Sequence, residues 1–196
     1  AKKFNKVIVK KNLFAKGISG ALNTGIFYSS NNLIGRIDSG DICIKKDRYK
    51  SIIKIFKEKE SIDLICSGLI DENRKTIKPW LFYTGNTLTP FSRVPHPTWV
   101  IKKSSIKFKY KSNCIRFEDY AFLLDNNFNI KIIEINDIKY DTSDHLKMFF
   151  EMKVSFFKSI YFIKKSKNKV VAILIGFVYI ISRISRLIIS KKKIIF

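Results

Sequence analysis

Apolar and polar positions along the chain alternate between short strand-like runs and helix-like faces. Val7 and Val9 flank Ile8 between Lys6 and Lys10, which predicts a strand. Ile18, Ala21, Leu22 and Ile26 then recur at helical spacing, and the helix they predict carries Asn23 and Gly25 toward the following turn. Leu33 to Ile37 is short, apolar and bounded by turn formers, so it predicts a buried strand. Asp47 is a good N-cap for a helix whose apolar face is Tyr49, Ile52, Ile53 and Phe56. A short buried strand is expected at Ile62 to Cys66. A helix is expected from near Glu118, with Phe117, Tyr120, Ala121 and Leu124 on one face, and a further strand at Ile130 to Ile135. Residues 71 to 98, with Pro79, Gly85, Pro90, Pro95 and Pro97, read as a looped segment. The alternation predicts an α/β fold with a largely parallel sheet flanked by helices. In such sheets ligands bind beyond the carboxyl ends of the strands.

The pattern changes near the C-terminal end. From Asp144 onward the chain looks helical and basic, with His145 facing solvent at the helix start and Phe156, Phe157, Ile160 and Ile163 sharing a face. Val170 to Ile181 is an unbroken apolar run of 12 residues, followed by Arg183, Arg186 and Lys191 to Lys193. A membrane-spanning helix needs about 20 apolar residues, so the run fits a re-entrant or interfacial segment whose cations meet anionic headgroups. A helix packed on the preceding domain, or a strained single span extended through Leu187, are the alternatives. The expected division is a domain over 1–143 and a basic, hydrophobic helical tail over 144–196.

Charge sharpens this division. The 196 residues carry a formal net charge of +22, of which residues 151 to 196 hold +10 and the first 150 hold +12. In the first part lysine alternates with isoleucine, asparagine and phenylalanine, as AT-rich coding tends to produce. No recognition-helix, zinc-finger or RNA-binding aromatic signature accompanies the basicity, so nucleic acid is disfavoured as a partner. Cys43, Cys66 and Cys114 are odd in number and lack a Cys-x-x-Cys pair, which argues against a disulfide framework or a zinc site. They read as small apolar core residues in a reducing cytoplasm. No secretory signal is visible.

Candidate chemistry centres on Leu33-Ile34-Gly35-Arg36-Ile37-Asp38-Ser39-Gly40-Asp41, an apolar run that delivers two carboxylates into a glycine turn. Gly40 lets the backbone fold back so that Asp38 and Asp41 converge. Two carboxylates on one turn suit a hard divalent cation, which fills the rest of its shell with water and substrate phosphates. The alternative is an Asx-type turn whose acids merely satisfy backbone amides. Trp80, Tyr83 and Trp99 are not assigned to chemistry, because aromatic residues near loops more often pack cores and rims.

Upstream of this turn stands Lys16-Gly17-Ile18-Ser19-Gly20-Ala21-Leu22-Asn23-Thr24-Gly25-Ile26; downstream stand Asp47-Arg48-Tyr49, Pro95-His96-Pro97-Thr98 and Glu118-Asp119-Tyr120. The ordered series resembles the family 2 glycosyltransferases, inverting enzymes of the GT-A fold, particularly those that build bacterial cell-surface polysaccharides. It covers approximately residues 7 to 140. The resemblance implies a nucleotide-diphosphate sugar donor, a glycan or lipid-linked acceptor and a divalent metal, Mg or Mn. It places metal and donor diphosphate at Asp38 and Asp41 and makes Asp119 the general base. Asn23 belongs to the helix pattern that precedes the aspartate turn. Glu118 then positions an acceptor hydroxyl or its own helix N-terminus, with simple helix capping as the alternative. His96 either donates a hydrogen bond to substrate or only anchors its loop. Arg36 steadies the diphosphate or the aspartates, or forms an ordinary ion pair. The implied location is cytoplasmic, peripheral at the inner face of the cell membrane.

Two departures from the family pattern stand out. The family turn commonly reads Asp-x-Asp-Asp, whereas Gly40 occupies the middle carboxylate's place. The family's first strand and acidic loop, which grip the nucleotide base, have no counterpart upstream of Lys6, so the expectation is a GT-A domain incomplete at its N-terminus. Two other functions remain open on sequence alone: a basic nucleic-acid-binding module, or a catalytically inactive membrane-associated remnant.

Overall fold

A computed structural model of the chain describes residues 7–71, 75–139 and 148–192. The expected helix start at Asp144 and His145, the 143/144 boundary, Lys6 and Lys193 lie outside the described residues. Helices α1 (Ile18–Tyr28), α2 (Arg48–Glu58), α3 (Glu118–Asn126), α4 (Met148–Lys165) and α5 (Lys169–Lys192) surround a mixed sheet. Its strands are β1 (Leu33–Gly35), β2 (Ile42–Cys43), β3 (Leu64–Ile70), β4 (Thr76–Ile77), β7 (Val100–Lys102) and β8 (Ile130–Lys139). Strands β5 (Tyr83–Thr84) and β6 (Thr87–Leu88) form a separate hairpin. The sheet order is β1-β7-β3-β8-β2, with β4 added to β3.

The centre of the α/β architecture is the parallel pairing of β3 with β8, the two longest strands, running from Leu64 opposite Ile130 to Ile70 opposite Lys139. The short strands β2, β4 and β7 add to this pair antiparallel, and β1 pairs antiparallel with β7 at the edge. β3 is buried from Leu64 to Leu69, as a strand covered on both faces must be. On one face α2 supplies Ile52 and Phe56, which pack with Ile62, Ile65, Val100 and Ile133. On the other, Leu64, Cys66 and Trp99 pack with Tyr120, Phe122 and Leu123 of α3, and with Phe162 of α4 and Ala172 of α5. The basic tail therefore enters the main core.

Four local expectations are corrected. Residues 7–10 form no strand: Val7, Ile8 and Val9 all stand exposed, so their alternation has no neighbouring surface to pack on. The strand over Leu33 to Ile37 ends at Gly35 and is not buried, because β1 is a sheet edge paired only with β7. In α1 Ile18 and Ala21 are exposed, and the buried positions are Gly20, Asn23 and Thr24. Leu22 and Ile26 of the expected face pack, partly buried, against the main core, beside polar positions that bond to neighbouring loops. In α2 only Ile52 and Phe56 of the expected face are buried, while Tyr49 and Ile53 are exposed.

Helices α4 and α5 form a hairpin with a small-residue seam. Ser155 and Ser159 of α4 and Ser166 just after it are buried, and the Ser159 hydroxyl reaches the Gly176 carbonyl at 3.3 Å. A Cβ on Gly176 would stand 3.3 Å from that of Ser159, so the close approach depends on glycine. Asp125 of α3 ties the hairpin down: its carboxylate, 2% exposed, pairs with Lys111 at 2.7 Å and Lys165 at 2.5 Å and accepts from the Tyr161 hydroxyl at 2.7 Å. The outer face stays apolar and exposed, with Phe156, Phe157 and Ile160 on α4 and Ile173, Leu174, Phe177, Val178 and Ile181 on α5. Among the described residues no helix is long and apolar enough to cross a membrane. Cys66 and Cys114 are buried and free, and Cys43 is partly exposed; burial pushes the Cys66 thiol up to about 12.

The division of α2 into buried and exposed apolar positions is testable by denaturant unfolding. Ile52→Ala is expected to cost about 2–5 kcal/mol through transfer and cavity terms. Ile53→Ala is expected to stay within about 0.5 kcal/mol, as for an exposed site.

Candidate functional site

The turn after β1 is built by a short backbone closure. The Asp41 amide donates to the Asp38 carbonyl at 3.2 Å, and the Asp38 amide donates to the Asp41 carboxylate at 3.3 Å. Gly40 has φ +91°, a conformation in which a side chain is strained. The missing middle carboxylate thus has a backbone reason.

Arg36 leads into this turn and faces Asp38. Its Nε and Nη2 donate to the two carboxylate oxygens of Asp38 at 2.7 and 2.6 Å, a bidentate pair. Its Nη1 lies 2.6 Å from His96 Nε2. His96 Nδ1 in turn lies 3.2 Å from the Asp119 carboxylate. The same Arg36 nitrogen also lies close to Nδ1, so the guanidinium sits against the ring as a whole, while a ring that donates from Nδ1 to Asp119 leaves Nε2 to accept from the Tyr110 hydroxyl, 3.1 Å away. Asp38, Arg36, His96 and Asp119, scattered over more than eighty positions of sequence, therefore form one unbroken contact series.

The loop bearing His96 is held from beneath. Pro95 and Pro97 stiffen a 3-10 turn over His96–Thr98, and the ring of buried Trp99 lies 4.4 Å from that of His96. Thr98 accepts from the Ser67 amide of β3 through its hydroxyl and from Arg48 through its carbonyl, at 3.1 and 2.6 Å. Arg48 is itself 2% exposed and also donates to the Ser67 hydroxyl at 3.1 Å. The sequence marks Arg48 as part of a motif but shows nothing of this role.

Asn23 is placed as a support. Its side chain accepts from the Tyr110 amide and donates to the Tyr110 carbonyl, both at 2.9 Å, which fixes the residue that touches His96. A cavity of about 330 Å³ opens between α1 and β1, lined in part by Gly25, Arg36, His96, Trp99 and Tyr110.

Glu118 and Asp119 open α3 but face different surroundings. Glu118 is 7% exposed, lines a separate cavity with Lys16, Ser19 and Arg116, and has Oε2 buried without a hydrogen-bond partner. Burial, then the adjacent Asp119, pushes its carboxyl above the ordinary value. For Asp119, desolvation raises the carboxyl, but His96, a backbone amide and Arg36 together outweigh it and bring it down to about 2. Environment thus drives two neighbouring carboxyls apart, the pattern by which acid and base roles are divided. The Asp119 side chain keeps 36% exposure and so remains accessible to a ligand.

No known family profile matches the chain, and no curated protein matches it. Among solved structures it is similar to S. aureus TarS 1-349, at 17% identity and TM-score 0.55, over 80% of this chain and 48% of that one. The same TarS 1-349 in complex with UDP-GlcNAc matches at 15% identity and TM-score 0.54, over 76% of this chain and 48% of that one. A longer S. aureus TarS structure matches at 15% identity and TM-score 0.54, over 77% and 28% of the two chains. This chain spans about half the length of the TarS 1-349 structures. TarS is a family 2 glycosyltransferase, and a likeness at this identity speaks to architecture: the chain has a glycosyltransferase fold.

The depressed Asp119 carboxyl has a consequence for acid stability. A folded-state value below the ordinary 3.8 contributes stability that is present above 3.8 and lost as pH falls toward about 2. Urea unfolding across this range should therefore show wild type losing its advantage over Asp119→Asn on acidification. An advantage that grows with falling pH would contradict the assignment.

Proposed function

We propose that this chain acts as an inverting glycosyltransferase domain, moving a sugar from a nucleotide-diphosphate donor to a glycan or lipid-linked acceptor in cell-surface polysaccharide synthesis. The observation that carries the reading is the contact series Asp38, Arg36, His96 and Asp119 within a glycosyltransferase fold. It joins a side suited to diphosphate with a side bearing an accessible carboxylate. UDP-GlcNAc, which the similar TarS binds, is the first donor to test.

Asp38 and Asp41 are the residues that would hold a Mg or Mn ion. The donor set fits, since carboxylate oxygens on one turn suit a hard cation that takes one or two protein ligands and completes its shell with phosphate and water. Among the described residues no group of three His, Cys, Asp or Glu side chains could hold a metal. When bound, such a cation neutralises the leaving diphosphate.

The chemistry of the protein's own groups follows. Asp119 is ionised at neutral pH and takes the proton of the acceptor hydroxyl as that oxygen attacks the anomeric carbon. The glycosidic bond forms while the bond from that carbon to the diphosphate oxygen breaks, and the electron pair leaves with the diphosphate. Attack from the face opposite the diphosphate inverts the centre. Arg36 offers positive charge beside the leaving group, and His96 orients Asp119. Glu118, holding its proton more tightly, positions an acceptor hydroxyl.

The test is transfer from UDP-GlcNAc with Mg or Mn by the full chain. Asp119→Asn is expected to lower the rate by about 10²–10⁴-fold, with donor binding retained. An undiminished rate would remove Asp119 from the role of base.

The tail hairpin supports a cytoplasmic location at the inner face of the cell membrane. Its outer apolar face lies among Lys153, Lys164, Lys167 and Lys169, a combination suited to an anionic bilayer surface. Cosedimentation with phosphatidylglycerol vesicles should fall on Phe177→Asp, and equal binding by both proteins would count against membrane contact.

A further inference from the structure

The two tryptophans of the chain are used in opposite ways. Trp99 is 2% exposed and packs in the main core, whereas Trp80, in the loop before β5, keeps 44% of its surface exposed. Several contacts nonetheless fix Trp80 in place. Its backbone exchanges two hydrogen bonds with Arg93, both at 2.9 Å, and its indole Nε1 donates to the Phe91 carbonyl at 2.6 Å. The Arg93 guanidinium lies over one face of the ring, 4.3 Å from its centre. Two residues on, the Ser92 hydroxyl accepts from the Phe82 amide and donates to the Phe82 carbonyl, at 2.8 and 2.9 Å. Leu81 between them packs against the core, so Trp80 and Phe82 fall on the outer side. Phe82 and its neighbour Tyr83 are 51% and 40% exposed.

The fixed ring stands close to the proposed base. A niche of about 70 Å³ is lined by Ser92, Val94 and Asp119, among others. Arg93, the backbone partner of Trp80, lies between Ser92 and Val94 in the chain. The segment that fixes the aromatic residues therefore also walls the approach to Asp119. A pyranose ring presents C–H groups on its faces and hydroxyls around its edge. The C–H groups suit the negative face of an aromatic ring, and the hydroxyls need hydrogen-bonding neighbours. Trp80 supplies the first, and the guanidinium of Arg93 lies beside it for the second.

We infer that Trp80 and Phe82 form a stacking platform for the sugar rings of a glycan acceptor, outward of the residue whose hydroxyl meets Asp119. This deepens, and rests on, the transferase reading given above. Between residues 75 and 99 the exposed large apolar side chains are Trp80, Phe82 and Tyr83, all of them aromatic. A bilayer or a protein groove would take aliphatic side chains as readily. A tryptophan at a membrane interface also keeps its N–H toward the wet side, whereas that of Trp80 is committed to Phe91. What Trp80 offers outward is ring surface alone, held still, which a sugar can meet at little cost in ordering.

Iodide quenching of tryptophan fluorescence reads the platform directly, because the ion reaches exposed Trp80 and not buried Trp99. At least one of cellotetraose, chitotetraose and maltotetraose, added to the full chain without donor, should protect Trp80 from iodide, and glucose at the same concentration should not. By titration calorimetry Trp80→Ala should weaken that tetrasaccharide by about tenfold, and Trp80→Phe, which keeps a ring, by less. Phe82→Ala leaves the backbone bonds to Ser92 in place and should weaken it too. Protection in a chain that transfers nothing from UDP-GlcNAc keeps the platform and removes the reaction, while transfer without protection does the reverse. Three results would overturn the platform: no protection by any of the three tetrasaccharides, equal affinity in wild type and Trp80→Ala, or protection by phosphatidylglycerol vesicles in place of the glycans.

Discussion

A guanidinium buried between a helix and the sheet governs the geometry of the site. Arg48 donates to the Thr98 carbonyl and the Ser67 hydroxyl, so it fastens the His96 loop to the central strand β3. From that anchor the ring of His96 can meet both Arg36 on the edge strand and Asp119 at the start of α3. A buried charge of this kind is retained only if its hydrogen bonds are made. The same requirement that satisfies Arg48 therefore positions the loop.

The site carries its own electrostatic balance. Arg36 is shared between Asp38 and His96, and His96 between Arg36 and Asp119, so positive and negative groups alternate through the series. Asn23 adds no charge but clamps both backbone groups of Tyr110, whose hydroxyl closes the remaining side of the imidazole. Supports drawn from α1, α2 and the loop after β7 thus converge on one histidine. Such convergence restricts how far the ring can turn, which is what a positioned base requires.

Much of the fold was legible because burial imposes recognisable periods. Ile52 and Phe56 on α2, the apolar run of β3 and the acidic opening of α3 all match their sequence patterns. The pattern misled where surroundings rather than period decide the outcome. Val7, Ile8 and Val9 alternate like a strand but have no neighbour, and Leu33 to Gly35 looks central yet lies at an edge. In α1 Leu22 and Ile26 reach the core as their spacing predicts, but the most buried side chains are Asn23 and Thr24, which serve loops, a use that hydrophobicity does not encode. Among site residues, Arg36, Asp38, His96 and Asp119 could be named in advance by motif. The roles of Arg48 and Tyr110 could not, since each depends on partners distant in sequence.

Gly40 shows how the aspartate turn has committed itself. Its φ of +91° lies beyond the region that even aspartate visits with ease, and an L side chain in a left-handed conformation costs about 1–2 kcal/mol. The present backbone and a third carboxylate are therefore competing solutions for the same four residues. An aspartate at position 40 would require the loop to be reshaped along with the substitution. The glycine therefore sets the path of the turn: a side chain at position 40 has to be accommodated by the backbone and not by the substitution alone.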